Sequence, residues 1–144
     1  MTTNEMLKIR DAVRTLAQLP DEEWEKLCTH KVEKNNQIND VTKLILKIGI
    51  PAHLNGYSYI RSAIIYFMNA KNDISITKEI YPEVAKQYNT TSSRVERGIR
   101  HAIEVAFERG NIKLIEEIFG TTVKITNGVV IATIAEYIKM HWTA

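Results

Sequence analysis

Three arginines, Arg94, Arg97 and Arg100, stand three residues apart in NTTSSRVERGIRHAIEVAFERGN, residues 89–111. Glu96 lies between the first two, His101 follows the third, and the hydroxyls of Thr90, Thr91, Ser92 and Ser93 precede them. An arginine presents a planar fork of donors that matches a phosphate or the O6 and N7 edge of guanine, and a carboxylate accepts from the N4 amino group of cytosine. Hydroxyls beside the unsatisfied amides of a helix start suit a phosphate. These types point to nucleic-acid recognition if one element holds them on a common face. The opposing reading is a solvated helix flank, with Glu104 four residues after Arg100 and placed to pair with it.

The element that must position them is a helix. At about 100° per residue, Val95, Ile99, Ala102 and Ala106 fall on one arc with Ile103, and Arg97 lies opposite. Arg94 and His101 flank Arg97 on one side, Arg100 and Ser93 on the other. Ser93 and Glu96 have the spacing of a capping box, so the helix is predicted over about residues 93–109, ended by Gly110. Pro82 is tolerated in a first turn and not in a helix interior, so PEVAKQY, residues 82–88, reads as a short preceding helix. Joined by residues 89–92, the two form a helix-turn-helix whose small core is Val84, Ala85, Tyr88, Val95 and Ile99. Residues 77–109 carry six Lys or Arg against five Glu, hardly a basic stripe. Pattern alone leaves both readings open.

Helix signals dominate elsewhere too, and the chain reads as all-α. Met6, Ile9, Val13 and Leu16 form one apolar stripe, Pro20 ends it, and Trp24, Leu27, Cys28 and Val32 form a second. Residues 1–36 are therefore predicted to be a helical hairpin, too small to bury a core alone. NNQIND, residues 35–40, is a turn-prone boundary, after which Asp40 can cap a short helix closed by Gly49 and Pro51. Ile60, Ala63, Ile64 and Phe67 share a face of the next helix, and NIKLIEEIF gives another, stopped by Gly120. VKITNGVV carries the Asn-Gly hairpin signal, yet Ile131, Ile134, Ala135 and Ile138 keep helical spacing. A loop near Asn127 and a terminal helix is the favoured reading.

Composition narrows the function classes. The 144 residues suit one domain with a small appendage, and 44% hydrophobic residues are too many for a disordered chain. A net charge of +2 excludes a protein that coats nucleic acid by charge alone, so any such binding must be local. The longest apolar run, AIIYFM, is far short of the roughly 18 residues of a membrane span, and the start lacks a signal peptide. Cys28 is the lone cysteine, which fits a cytoplasmic protein, and with His30 it cannot complete a zinc site. No glycine-rich phosphate loop or nucleophile motif is present, and Glu116 and Glu117, adjacent on a helix, point apart. No enzyme, metal or cofactor is expected.

Three blocks carry a resemblance: IGIPAHLNGYSYIRSAI, SITKEIYPEVAKQYNTTSSRVERGIRHAIEVAFERGNI and IFGTTV. Over about residues 41–142 the chain resembles the C-terminal DNA-binding domains of the stage-zero sporulation response regulators. The resemblance implies a six-helix bundle around a helix-turn-helix and sequence-specific binding to short double-stranded DNA boxes, often by two copies in tandem. It puts Glu96, Arg97 and Arg100 at base-reading positions and Ser93, Arg94 and His101 at backbone contacts, to which the hydroxyls of the helix start add Thr91 and Ser92. Glu104, Val105 and Phe119 fall on the surface where the family touches the sigma subunit of RNA polymerase. His53 also matches the family pattern and reads as a packing or capping residue.

The departures are specific. Residues 1–40 are too few for the family's phosphorylated receiver domain, so control through phosphorylation within this chain is not implied. Lys113 and Leu114 stand where small or acidic residues are usual, and the loop at 123–127 is shortened. Gly98 replaces the usual alanine, at about 1 kcal/mol for an exposed helix interior. The preferred expectation is a DNA-binding transcription regulator, with residues 41–144 as its binding domain. The alternative is a protein-interaction module that engages a partner or a second copy through the 1–36 hairpin, with DNA contact secondary.

Overall fold

The computed structural model describes residues 36–71 and 73–142, and the chain divides into two units, Met1–Asn36 and Gln37–Ala144. The hairpin expected over residues 1–36, with its Met6, Ile9, Val13, Leu16 and Trp24 stripes and the Cys28–His30 pair, lies outside the described residues. The described residues form α1 (36–48), α2 (Asn55–Asn69), one wide π turn (Ile76–Ile80), α3 (Tyr81–Gln87), α4 (Ser92–Arg109), α5 (Ile112–Phe119) and α6 (Asn127–Trp142), all but the first residue of α1 in the second unit. Among the described residues there is no strand.

α1 begins before its expected cap. Asp40 lies inside the helix rather than at its start. The asparagines and glutamine ahead of it disfavour a helix by only tenths of a kcal/mol each, so a buried ridge can override them. That ridge is Val41, Leu44, Ile45 and Ile48. Gly49, at φ +106°, ends the helix, and a Cβ there would meet the Gly110 Cα at 2.5 Å. The Asn111 amide donates to the Ile48 carbonyl at 2.9 Å, tying the end of α4 to the end of α1.

α2 and α4 form the centre of the unit. α2 buries Ile60, Ala63 and Ile64, and α4 buries Val95, Ile99, Ala102, Ile103 and Ala106, as the apolar periodicity predicts. Gly56 and Gly98 meet where the two helices cross. Gly98 is therefore not an exposed interior glycine: it faces α2, with the Tyr59 ring edge 2.9 Å from where its Cβ would be. α6 packs on α2, α4 and α5 through Val130, Ile131, Ile134, Ala135 and Ile138.

The helix expected to begin at Pro82 has a helical turn in front of it. Ser75 caps this turn, its Oγ accepting from the Lys78 amide at 3.2 Å and its carbonyl from Ile80 at 3.3 Å. Tyr81 then donates to the Ile76 carbonyl, and Ile80 keeps helical dihedrals, so the π turn runs straight into α3. Proline, which has no amide to donate, stays within the first turn of the α-helical part. At the other boundary, the Asn-Gly pair forms no hairpin. Thr126 caps α6, its Oγ1 accepting from the Val129 amide at 3.4 Å, and Asn127 becomes the first helical residue.

A candidate nucleic-acid interface

α3, a four-residue turn and α4 make the helix-turn-helix. Asn89 takes φ +52°, a left-handed conformation that asparagine tolerates, and the Thr90 amide returns to the Ala85 carbonyl at 2.9 Å. Tyr88 fastens the end of α3 to α2: its hydroxyl lies 2.8 Å from Ser62 Oγ and donates to the Ser58 carbonyl at 3.3 Å. Its ring meets Tyr59 edge to face at 5.3 Å. Val84, Ala85, Val95 and Ile99 are buried as expected, while Tyr88 is half-buried because its hydroxyl reaches this polar edge.

The start of α4 differs from the capping box. Thr91 is the cap, its Oγ1 accepting from the Arg94 amide at 3.3 Å, and Ser93 lies one residue inside the helix. The Glu96 carboxylate turns instead toward Arg100, one helical turn on, and the two form an ion pair. Thr91 and Ser93 are exposed and Ser92 is half-buried, so the hydroxyl-bearing start of α4 lies at the surface.

The exposed face of α4 carries Arg94, Arg97, Arg100 and His101. Among the described residues, neither Arg94 nor Arg97 makes an ion pair. Arg97 projects from the side opposite the Val95, Ile99 and Ala102 ridge, each of which is 0% exposed. The side chains of Arg100 and Glu96 are 47% and 43% exposed, so their pair is solvent-facing and shifts stability little. Its effect is to hold the guanidinium and the carboxylate together on one turn.

The expected Arg100–Glu104 pairing does not form. Glu104 is held by Lys124 from the loop before α6, at 2.5 Å. That hydrogen bond and charge draw the Glu104 carboxyl below its ordinary value. Val105 is half-buried beside it, and Phe119 packs its ring against Phe107 at 5.7 Å, within the core contacts. Glu104 thus faces the loop before α6, and Phe119, at the end of α5, packs on the Phe107 side of α4. His53 is exposed.

Asn127 was not singled out by sequence reasoning. Its Nδ2 donates to the Glu96 backbone carbonyl at 3.1 Å. Burial raises the pKa of the nearby Tyr81 hydroxyl, and the Asn127 side chain opposes the rise. Tyr81, Glu96, Arg100, Lys124 and Asn127 line one open groove of about 680 Å³ beside α4. The only signal in the sequence was the Asn-Gly pair, which suggested a turn.

No group of His, Cys, Asp or Glu among the described residues could hold a metal ion, and no helix among them is long and apolar enough to cross a membrane. The family described as sporulation initiation factor Spo0A C terminal matches residues 41–138, which spans α1 to α6 and more than half of the chain. This is a DNA-binding family of transcription regulation and not an enzyme family. With its helix-turn-helix and matched span, the chain belongs to the Spo0A C-terminal family.

Proposed function

We propose that this protein binds specific double-stranded DNA sequences by placing α4 in the major groove. The observation that carries the reading is the exposed Arg97, free of any ion pair among the described residues and opposite the buried ridge of α4. Glu96, Arg97 and Arg100 read base edges, Arg97 by two hydrogen bonds to one guanine and the Glu96–Arg100 pair as a joined donor and acceptor. Thr91, Ser92, Ser93, Arg94 and His101 hold the flanking phosphates, which fixes register without reading sequence. Two copies on tandem boxes fit a site that covers only a few base pairs per helix. Phosphorylation within these 144 residues is not part of the mechanism.

The test is selection of bound duplexes from a random pool, followed by binding of the recovered sequence. The wild-type chain is expected to retain one short motif, and Arg97→Ala to lose the shift at moderate salt while keeping its helical circular dichroism. A folded wild-type protein that enriches no motif overturns the proposal.

A further inference from the structure

Asn127 joins two helices through one amide. It opens α6, donates to the Glu96 carbonyl in α4 at 3.1 Å, and lines one groove with Tyr81 at the start of α3. Thr126 already caps α6, so the Asn127 side chain is not needed for capping. It turns across the groove instead. The carbonyl it meets belongs to the residue whose carboxylate holds Arg100.

Helical position gives this bond a particular meaning. In α4 the Glu96 carbonyl is already placed to accept from the Arg100 amide four residues on. A carbonyl has a second lone pair, and Asn127 takes it from the side. The fold does not need that bond to keep α4 helical. What it constrains is the rotation and depth of one turn of α4 relative to α6. Specific recognition requires side chains held to within about half an ångström, and a second layer of hydrogen bonds is how such tolerance is maintained.

We propose that Asn127 is a positioning residue for base reading, fixing through the Glu96 carbonyl the turn of α4 that presents the Glu96–Arg100 pair. The inference rests on α4 being the reading helix. Asn127 touches no base itself; it acts through Glu96 and Arg100. Removing its amide leaves the phosphate contacts of Thr91, Ser93 and Arg94 in place, so affinity for unrelated DNA stays and discrimination falls.

The experiment measures binding by fluorescence anisotropy to the duplex recovered by selection, to its single-base-pair variants and to an unrelated duplex. Asn127→Ala is expected to lower discrimination at the base pairs read by Glu96 and Arg100 about tenfold, with unchanged binding to the unrelated duplex and an unchanged salt slope. In an Arg100→Ala background, Asn127→Ala is expected to have much less effect, because its partner in reading is already gone. Asn127→Leu, which keeps the side-chain volume and loses the donor, is expected to give a similar loss at the same positions. Undiminished discrimination in folded Asn127→Ala overturns the inference, as does an equal loss on every duplex or the same loss in the Arg100→Ala background. If Asn127→Ala does not fold, unchanged discrimination in folded Asn127→Leu overturns it. A wild-type chain that selects no motif defeats the reading of α4 itself, and this inference with it.

Discussion

Gly56 of α2 and Gly98 of α4 pack backbone against backbone, and the two glycines are not equivalent. A Cβ on Gly56 would overlap the Gly98 carbonyl oxygen, and would lie 2.6 Å from its carbon and 2.9 Å from the Ala102 Cβ. A Cβ on Gly98 would meet the edge of the Tyr59 ring at 2.9 Å and the Gly56 Cα at 3.6 Å. The first obstacle is helix backbone, which moves only with the helix. The second is a side-chain ring, which can yield.

The asymmetry predicts unequal substitutions. Gly56→Ala must push α2 and α4 apart, at a cost of about 1–3 kcal/mol. Gly98→Ala displaces the Tyr59 ring slightly but gains helix propensity of about 1 kcal/mol, so the two effects nearly cancel. Urea midpoints for the two variants check this. Equal destabilisation by both would show that the helices do not cross as described.

The turn before α4 gives a second contrast. Thr91 accepts the Arg94 amide, so Thr91→Ala is expected to cost about 1 kcal/mol. Ser93→Ala removes a hydroxyl that caps nothing and is expected to stay within about 0.5 kcal/mol of wild type. Thermal or urea unfolding of both variants decides between Thr91 as the cap and the capping box of Ser93 with Glu96. Either residue can still lower DNA affinity through a lost phosphate contact, so the stability measurement is made without DNA.

The sequence made the ridge of α4 legible because helical periodicity survives packing: Val95, Ile99, Ala102, Ile103 and Ala106 are all buried. It pointed to the wrong cap: Thr90, Thr91, Ser92 and Ser93 are all competent, and the capping-box spacing favours Ser93 with Glu96 where the structure uses Thr91. What selects Thr91 is the left-handed Asn89 and the Thr90–Ala85 bond, which decide where the turn ends. Gly98 was visible as a glycine, but its closeness to Gly56, 42 positions earlier, is a tertiary fact. The same holds for Lys124 and Glu104, 20 positions apart, which displaced the local Arg100–Glu104 pairing, and for Asn127 with Glu96, 31 apart. Local chemistry identified the exposed cationic face of α4; the residues that brace it came from elsewhere in the chain.

The Lys124–Glu104 pair carries a pH dependence whose sign is fixed. The folded protein holds the Glu104 carboxyl below its ordinary 4.5, through the hydrogen bond and then the charge of Lys124. A depressed carboxyl contributes stability at pH above that value and loses it as pH falls through the lowered one. Acidification from neutral pH to about pH 3 is therefore expected to destabilise wild type more than Lys124→Ala, in which Glu104 has no such partner. Both side chains are about two-fifths exposed, at 39% and 41%, so solvent and salt screen the effect. Urea midpoints of the two proteins at both pH values test it; parallel acid losses would mean that the pair has no energetic role.

Arg94 and Arg97 are both exposed on α4 without an ion-pair partner among the described residues, yet they are expected to fail differently when removed. Arg97 points away from the buried ridge, into the position from which a groove-bound helix reads bases. Its loss in Arg97→Ala should cost about 1–3 kcal/mol on the selected duplex and relax preference at one base pair. Arg94 lies in the first turn, beside Thr91 and the hydroxyls that suit a phosphate. Arg94→Ala should weaken all duplexes alike and reduce the slope of log affinity against log salt by about 1. Anisotropy titrations on selected and unrelated duplexes, over about 50–200 mM salt, separate the two roles. A uniform loss from Arg97→Ala, with a base-specific loss from Arg94→Ala, would mean that α4 enters the groove rotated by about 60° from the register proposed, because three residues on a helix turn through 300°.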